Sequence, residues 1–293
     1  MKPFLERVRT GPVLVADGAM GSFLMARGLK PGDAPESFNL ERQEVLREVA
    51  SLYFEAGAEV VQTNTFGGSP LKLASYGLDD RTEEIAAAAV EAVRSVVGDD
   101  AYVSGSCGPT GGMLKPYGDV EPAEVREGFR RQTGALVSAG VDVLCIETMT
   151  DLNEAVLAIE ATRSVSADIP IMATMTFDPT PRGFFTIMGI DVPAAAAGLL
   201  EAGADLVGSN CGNGIENMVK IAREFRARTD APLLIQSNAG LPEMIDGSVV
   251  YTETPEFMAE KARELLDIGV DVIGGCCGTT PEHIRALRTK LRP

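Results

Sequence analysis

Three of the five cysteines occur where their thiols could bind one metal ion. Cys211 lies in the segment GSNCGNG, and Cys276 and Cys277 lie in GGCCGTTPEH. Each segment follows a short apolar run that is typical of a buried strand. Three thiolate ligands with a fourth position open form the arrangement of a catalytic zinc site. From the residues alone, the alternative is that Cys276 and Cys277 are small buried hydrophobic residues or form a vicinal disulfide.

Two neighbouring cysteines can share one ion only if the backbone leaves the strand conformation near them. Successive side chains of a regular strand point to opposite faces, which would separate Cys276 from Cys277. Gly274, Gly275 and Gly278 flank the pair. We expect these glycines to let the backbone turn, so that both sulfurs point inward.

The remaining cysteines and the single histidine indicate no further chemistry. Cys107 and Cys145 show no metal-ligand spacing, and we expect both to be buried thiols. His283 follows Thr280 and Pro281, which are typical of a helix N-cap and first helical position. A catalytic triad built on histidine is therefore not expected.

The elements that must position the thiols contain a repeated phrase. It occurs as AGAEVV at 56–61, AGVDVL at 139–144, AGADLV at 202–207 and IGVDVI at 268–273. Each copy indicates a helix that ends at a glycine, an acidic residue in the turn and a short apolar run. Apolar runs without strict alternation predict strands buried on both faces. The phrase therefore predicts parallel strands that each follow a helix.

Eight strands alternate with eight helices in this interpretation. The strands are predicted near 13–17, 59–64, 101–106, 142–147, 170–176, 205–210, 232–237 and 271–275. The helices are predicted near 40–56, 82–97, 121–139, 152–166, 192–202, 215–228, 255–268 and 281–290, with an elaborated loop around KPGDAP at 30–35. This alternation favours an α/β fold of the (β/α)₈ TIM barrel type, as one domain over residues 1–293. An open dinucleotide-binding sheet would need a G-x-G-x-x-G loop, which DGAMGS at 17–22 lacks.

Composition narrows the class of protein and its partners. The chain has 293 residues, a net charge of −16, 45% hydrophobic residues and 5% aromatic residues. This profile is typical of a soluble globular protein, and its acidity argues against nucleic acid or an anionic membrane as partner. The sequence has neither a secretory signal nor an apolar stretch of membrane-spanning length. We therefore expect a cytoplasmic protein that binds small molecules.

The active site of such a barrel lies at the carboxyl ends of its strands. The segments predicted there include DGAMGS, TNTFGG, ETMTDLNEA, GSNCGNG, SNAGLP and GGCCGTTPEH. Both cysteine segments thus fall at one end of the barrel, although they come from strands six and eight. The fold would bring the three thiols together.

These segments also resemble a known family. DGAMGS, TNTF, ETMTDLNEA, GSNCGNG, SNAGLP and GGCCGTTPEHI occur between residues 17 and 284 in the order of the homocysteine S-methyltransferase family, the zinc module at the amino end of cobalamin-dependent methionine synthase. The resemblance implies an enzyme that binds Zn²⁺ through Cys211, Cys276 and Cys277. It also implies that homocysteine sulfur takes the fourth position and is methylated to methionine. The three cysteines would then be catalytic through zinc, without a protein general base.

The resemblance further implies a subsite for the amino-acid end of homocysteine. The loop residues expected to hold its carboxylate through backbone N–H groups are Gly18, Ala19, Met20 and Gly21. Glu147 is expected to accept a hydrogen bond from the ammonium group, and Asp17 matches an aspartate of the same subsite. The alternatives are that Glu147 caps the following helix and that Asp17 is an ordinary turn residue.

Three asparagines are further candidates at this end of the barrel. Asn238 matches a position that approaches the zinc when substrate is absent, since a carboxamide oxygen is a weak and easily displaced ligand. Asn64 is expected in the substrate site, where it and Asn210 would orient the ligands. The alternatives are that Asn238 merely tolerates a tight turn and that Asn64 and Asn210 satisfy neighbouring backbone groups.

The methyl donor is the least determined part of the interpretation. Ser22 replaces the usual threonine after DGAMG, which should not disturb backbone binding. The sequence ends soon after the last predicted helix. The donor is therefore expected from outside this chain, and GGCCGTTPEH and NAGLP favour methylcobalamin on a separate corrinoid protein. The alternative is free S-methylmethionine or betaine, whose cationic methyl groups are held by aromatic faces. Tyr117 and Phe177 are the candidates for that role.

Two further alternatives concern the chain itself. One is a non-catalytic subunit of a methyltransferase complex that holds zinc or a thiol. The other is a fragment of a longer synthase. The predicted cysteines and Glu147 favour catalysis over the first.

Overall fold

A closed barrel of parallel strands is the centre of the computed structural model, which describes residues 1–245 and 248–292. In this part of the chain its strands are β1 (Leu14–Val15), β2 (Val60–Gln62), β3 (Tyr102–Cys107), β4 (Val143–Met149), β5 (Ile171–Met175), β6 (Leu206–Asn210), β7 (Leu233–Ser237) and β8 (Val272–Gly275). Each strand pairs in parallel with its sequence neighbours, and β8 pairs with β1. A bridge between Ala16 and Val60 closes the barrel between β1 and β2. The predicted TIM barrel is confirmed.

Helices surround the barrel, and in the described residues the eight predicted helices are joined by four shorter ones that were not predicted. They are α1 (Phe4–Thr10), α2 (Gly21–Ala26), α3 (Phe38–Glu41), α4 (Gln43–Glu55), α5 (Pro70–Leu73), α6 (Thr82–Val97), α7 (Pro122–Ala139), α8 (Leu152–Val165), α9 (Val192–Ala202), α10 (Ile215–Arg228), α11 (Pro255–Ile268) and α12 (Pro281–Leu291). Short 3₁₀ turns lie at Pro35–Ser37, Ala74–Tyr76 and Asp79–Arg81. Two antiparallel hairpins extend from the carboxyl end: the first pairs Asp178–Thr180 with Gly183–Phe185, and the second pairs Pro242–Ile245 with Ser248–Tyr251.

Residues of the repeated phrase connect helices to strands at the amino end of the barrel. Its glycines, at positions 57, 140, 203 and 269, all have a positive φ that ends the helix. The aspartates that follow three of them accept a hydrogen bond from an N–H near the start of an adjacent strand. These pairs are Asp142 with Val103, Asp205 with Ile171 and Asp271 with Leu233. Each aspartate also pairs with an arginine of the helix that precedes this adjacent strand, so one acidic residue fixes both the adjacent strand and its helix.

Helix α1 covers the amino end of the barrel. Phe4 and Val8 are buried against inward-facing side chains of the strands, and the Phe4 ring packs edge-on against Tyr102 with the centroids 5.2 Å apart. Arg7 and Arg292 both bind the carboxylate of Glu59. The amino end is therefore filled and sealed, and the carboxyl end remains for a site. Among the described residues, no helix has both the length and the apolar character that a membrane crossing requires.

Candidate metal and substrate site

The three cysteines meet at the carboxyl end of the barrel. Cys211 directly follows β6, and Cys276 and Cys277 directly follow β8. Their Sγ atoms all lie within 4.8 Å of one another, and those of Cys211 and Cys277 are 3.7 Å apart. A disulfide needs about 2.05 Å between its sulfurs, and all three thiols are free. Tetrahedral zinc with Zn–S distances of about 2.3 Å separates its sulfurs by about 3.8 Å, so this cluster has the dimensions for such an ion.

The backbone reaches this arrangement differently from the sequence-based expectation. Gly274 and Gly275 stay in β8, and the strand conformation ends after them. Glycine is needed at both positions because other segments of the same chain approach closely. A Cβ on Gly274 would lie 2.8 Å from the Ala16 Cβ, and one on Gly275 would overlap the Thr279 side chain. Only Gly278 of the three has a positive φ, at 79°. The expectation that Gly274 and Gly275 release the backbone from the strand is thus corrected.

The thiol cluster stabilises negative charge. Hydrogen bonds from the Cys211 and Cys276 thiols lower the pKa of Cys277 to about 3, and hydrogen bonds to Cys211 and Cys277 raise the pKa of Cys276. The protons of two thiols therefore stabilise a thiolate on the third. A bound cation would take over this role, because metal binding displaces the protons of its thiol ligands.

Tyr251 lies at the mouth of the cluster and was not predicted. It ends the second hairpin, which is anchored where the Ala239 N–H donates to the Cys277 carbonyl oxygen at 3.0 Å. The Tyr251 ring packs on Gly278, the residue that follows Cys277. Burial and the negative charge at Cys277 raise the pKa of Tyr251 to about 12. Tyr251 thus presents an aromatic ring beside the sulfurs.

The two aromatic residues named from the sequence lie elsewhere. Phe177 is completely buried and packs edge-on against Phe225, with the ring centroids 6.0 Å apart. It therefore offers no face to a ligand, and the prediction that Phe177 could hold a cationic methyl donor is wrong. Tyr117 is 78% exposed in the loop after β3.

Gly278→Ala should weaken metal binding through the position of Tyr251. A methyl group there would collide with the Tyr251 ring and also force a side chain into a positive φ. We expect zinc affinity, measured by competition with a chromogenic chelator, to fall by about 10- to 100-fold. Gly140→Ala is the matched control, because Gly140 has a φ of 91° but no atom within 4 Å of the added methyl. Equal zinc affinity in both variants would contradict this role for the Gly278–Tyr251 contact.

Two buried carboxyl groups lie beside the cluster. The Asp17 Oδ2 accepts a hydrogen bond from the Gln62 N–H at 2.7 Å. Glu147 accepts from the Ser106 hydroxyl and, at 3.3 Å, from the Asn210 side chain. Burial, reinforced by the charge of Glu147, raises the pKa of Asp17 to about 8, and burial raises the pKa of Glu147 to about 7. No cationic side chain pairs with either group among the described residues, so an ammonium ligand would supply the missing charge.

Both alternatives proposed for these carboxyl groups disagree with their surroundings. Helix α8 is capped by Asp151, whose carboxylate accepts from the Asn153 N–H at 2.8 Å, so Glu147 is not the cap. Asp17 is 2% exposed, and its Oδ1 has no hydrogen-bond partner among the described residues. An ordinary turn aspartate would instead be solvated or bonded to its own turn.

Asn210 connects the carboxyl pair to the cysteines. Its amide nitrogen contacts the Thr148 hydroxyl at 2.7 Å, the Glu147 carboxylate at 3.3 Å and the Cys276 sulfur at 3.9 Å. Its oxygen accepts from the Thr148 N–H and the Thr174 hydroxyl. The amide orientation is therefore fixed at both ends, as expected for a residue that orients ligands.

The DGAMG loop lies next to β8. Ala19 is buried, and its N–H donates to the Thr279 hydroxyl at 3.1 Å. This N–H is thus already used and is not available to a carboxylate. Among the described residues, the N–H groups of Gly18 and Met20 have no acceptor, and Gly21 begins α2 with a free N–H.

The other asparagines differ in availability. The Asn64 amide donates to the Pro35 carbonyl oxygen at 2.7 Å and to the Asn39 side chain at 2.9 Å, which supports its alternative role in fixing neighbouring chain. Asn238 is buried directly after β7, and its Oδ1 has no hydrogen-bond partner in the described part of the chain. An unpartnered buried oxygen fits a weak ligand position.

The residues expected to be structural are placed accordingly. Cys107 and Cys145 are completely buried, and burial raises the pKa of both thiols. His283 is buried near the start of α12, where its ring contacts Thr280 and the Glu253 carbonyl oxygen. Each of these side chains is accounted for by packing or by helix capping.

The fold and this site together define a class: a (β/α)₈ barrel protein with a thiol cluster and buried carboxyl groups at the carboxyl ends of its strands. The sequence matches the homocysteine S-methyltransferase family over residues 14–291. The chain belongs to this family.

Curated relatives agree with this assignment, and a solved structure has the same fold. The chain is 32% identical to methionine synthase of Mycobacterium tuberculosis and 31% identical to that of Mycobacterium leprae, in both cases over 94% of this chain and 24% of the relative. It therefore spans about a quarter of these relatives. The metallated homocysteine methyltransferase MmuM of Escherichia coli has the same fold, with a TM-score of 0.82 and 24% identity over 99% of this chain and all of that structure.

Proposed function

We propose that this protein transfers a methyl group to the sulfur of homocysteine and so forms methionine in a zinc-dependent reaction. The observation that carries the proposal is the link from the thiol cluster to the Glu147 carboxyl group through Asn210. A metal beside an ammonium-binding pair fits a short amino acid that ends in a thiol. In this proposal the barrel of residues 1–293 acts as one homocysteine-binding domain.

Cys211, Cys276 and Cys277 would hold the zinc, and Asn238 would complete the site until substrate arrives. The ion would lower the pKa of the homocysteine thiol from about 8.5 and hold it as a nucleophilic thiolate. Asp17 and Glu147 bind the substrate ammonium group, and the free N–H groups of Gly18, Met20 and Gly21 bind its carboxylate. We also propose Asn64 for the substrate site, where it would act indirectly by holding the segment of Pro35 and Asn39 in place.

Methyl transfer itself requires no proton movement in this arrangement. The sulfur attacks the methyl carbon, a carbon–sulfur bond forms, and the bond between the methyl group and its donor breaks with the electron pair leaving on the donor. The chain's residues orient the sulfur and exclude competing groups. The proposed donor is methylcobalamin on a separate corrinoid protein.

A free cationic donor is the second candidate because of Tyr251. Its ring lies beside the cluster, where a sulfonium or quaternary ammonium group would approach the sulfur. Contacts between cations and aromatic faces contribute about 0.5–2 kcal/mol. S-methylmethionine and betaine are donors of this kind.

The experiment that tests both candidates is methionine formation by the zinc-loaded protein with homocysteine and one donor at a time. Turnover with methylcobalamin and not with S-methylmethionine or betaine supports the corrinoid donor. Turnover with S-methylmethionine or betaine supports the free donor. If homocysteine binds but no donor supports turnover, the protein is a binding subunit and the proposed reaction is wrong.

Binding at the carboxyl pair should strengthen as the pH rises. The ammonium group requires ionised partners, and the pKa values of Asp17 and Glu147, about 8 and about 7, keep both groups largely protonated at pH 6. Methionine is a suitable probe because it keeps the ammonium group but has no thiol proton. We expect its dissociation constant to fall by at least about tenfold between pH 6 and pH 8, measured by calorimetry. A flat profile would contradict proton release from this pair.

A further inference from the structure

Thr279 joins the DGAMG loop to the turn that carries the cysteine pair. It is completely buried, and its hydroxyl has both a donor and an acceptor. The hydroxyl accepts from the Ala19 N–H at 3.1 Å and donates to the Cys276 carbonyl oxygen at 2.7 Å. One side chain thus bridges positions 260 residues apart in the sequence.

The surrounding residues are fitted to this side chain. A Cβ on Gly18 would lie 2.5 Å from the Thr279 hydroxyl, and one on Gly275 would overlap it. Tyr53 adds a second contact, since its hydroxyl reaches the Ala19 carbonyl oxygen at 2.8 Å and that of Thr279 at 3.2 Å. The last backbone hydrogen bond between the two segments runs from the Gly275 N–H to the Asp17 carbonyl oxygen. Beyond this hydrogen bond the strand pairing ends, and Thr279 connects the DGAMG loop to the cysteine turn.

We propose that Thr279 is a positioning residue that fixes the distance between the amino-acid subsite and the sulfur position, and thereby selects the chain length of the thiol substrate. The inference rests on the proposed function, because it assumes that the loop holds the amino-acid end and that the cysteines hold the metal. Thr279 touches neither substrate nor metal in this role.

Chain length matters because the substrate must reach two fixed places at once. Cysteine is shorter than homocysteine by one carbon–carbon bond of about 1.5 Å. A misplacement of about 1 Å in an active site can cost about 100-fold in rate. A rigid separation therefore rejects cysteine, whereas a loosened one accepts it more readily.

The test compares Thr279→Val with Thr279→Ser. Valine keeps the shape and removes the hydroxyl, and serine keeps the hydroxyl. For each protein we would measure the zinc content, KM and kcat with homocysteine, and the inhibition constant of cysteine. Thr162→Val is the matched control, because Thr162 is also buried and donates its hydroxyl to a backbone oxygen, that of Ala158, within α8.

We expect Thr279→Val to retain zinc while the preference for homocysteine over cysteine falls by at least about tenfold. The change should appear in KM more than in kcat, and Thr279→Ser and Thr162→Val should keep the preference within about threefold of the unaltered chain. An unchanged preference in Thr279→Val would overturn the inference. Loss of zinc from Thr279→Val would also overturn it, because the hydroxyl would then support the metal turn itself.

Two further measurements separate the possible failures. If Thr279→Val does not fold, Thr279→Ala removes the same hydroxyl without adding bulk and is judged by the same ratio. If the unaltered zinc-loaded chain binds no homocysteine, the proposed function fails. If it binds homocysteine and the Thr279 variants keep its preference, only the inference about Thr279 fails.

Discussion

Cys277→Ser should lose both its zinc and methyl transfer. Cys277 is the thiol with the lowered pKa, and its sulfur lies 3.7 Å from that of Cys211. Its replacement removes one of three anionic ligands and leaves a hydroxyl that stays protonated near neutral pH. A metal contributes several kcal/mol of transition-state stabilisation, and about 4 kcal/mol corresponds to about 10³ in rate. We therefore expect methionine formation to fall by at least about 10³-fold.

The measurement is zinc per chain by elemental analysis after dialysis against a chelator, together with the rate of methionine formation. Cys107→Ala is the matched control, since Cys107 ends β3 at the same end of the barrel but lies outside the cluster. It should keep its zinc and lose only some stability, as expected for a buried thiol. A Cys277→Ser protein with full zinc and full rate would show that the cluster is not the metal centre.

Most of the barrel is predictable because its signals are local. The bounds of α6, α9, α10 and α11 follow from the sequence residue for residue. Asp191 and Thr254 mark two of these starts, as each accepts a hydrogen bond from a backbone N–H in the first turn. Glycines with a positive φ mark the ends of α9 and α11. Such caps depend on residues within one turn of the helix, so periodicity and end signals suffice.

The elements that were missed depend on distant contacts. Helix α1 has only seven residues, and it is stabilised because Phe4 and Val8 cover the open end of the barrel. The strands of the second hairpin are not predicted from the sequence, although the dipeptide Asp246–Gly247 is a common hairpin signal in sequence. Missing that hairpin also meant missing Tyr251.

The site residues also fall into those with a local sequence signal and those that depend on distant contacts. The cysteines and Glu147 are predictable because the cysteines directly follow strands and Glu147 lies near the carboxyl end of β4. The order of strands in a barrel determines which of these ends are neighbours. Thr279 and Ser106 carry no such signal, because their roles arise from contacts with Ala19 and Glu147. The Ala19 N–H was expected to be free for the same reason: its acceptor comes from the far end of the chain.

Glu147→Gln should weaken homocysteine binding without loss of zinc. A hydrogen bond to a charged group contributes about 1.5–3 kcal/mol, which corresponds to about 10- to 150-fold in affinity. The substitution keeps the size of the side chain and removes the charge that attracts the ammonium group. Because this contact exists before and during the reaction, KM should rise while kcat changes by less than about threefold.

The sharpest comparison uses 4-mercaptobutanoate, which is homocysteine without its amino group. The unaltered protein should prefer homocysteine over this analogue, and Glu147→Gln should lose most of that preference, as measured by calorimetry on the zinc-loaded proteins. Glu154→Gln is the matched control, because Glu154 is also buried at this end of the barrel but binds Thr110 rather than the cluster. If Glu147→Gln and Glu154→Gln retain the same preference, the ammonium group is not recognised at Glu147. Glu147 would then serve only its internal hydrogen bonds with Ser106 and Asn210.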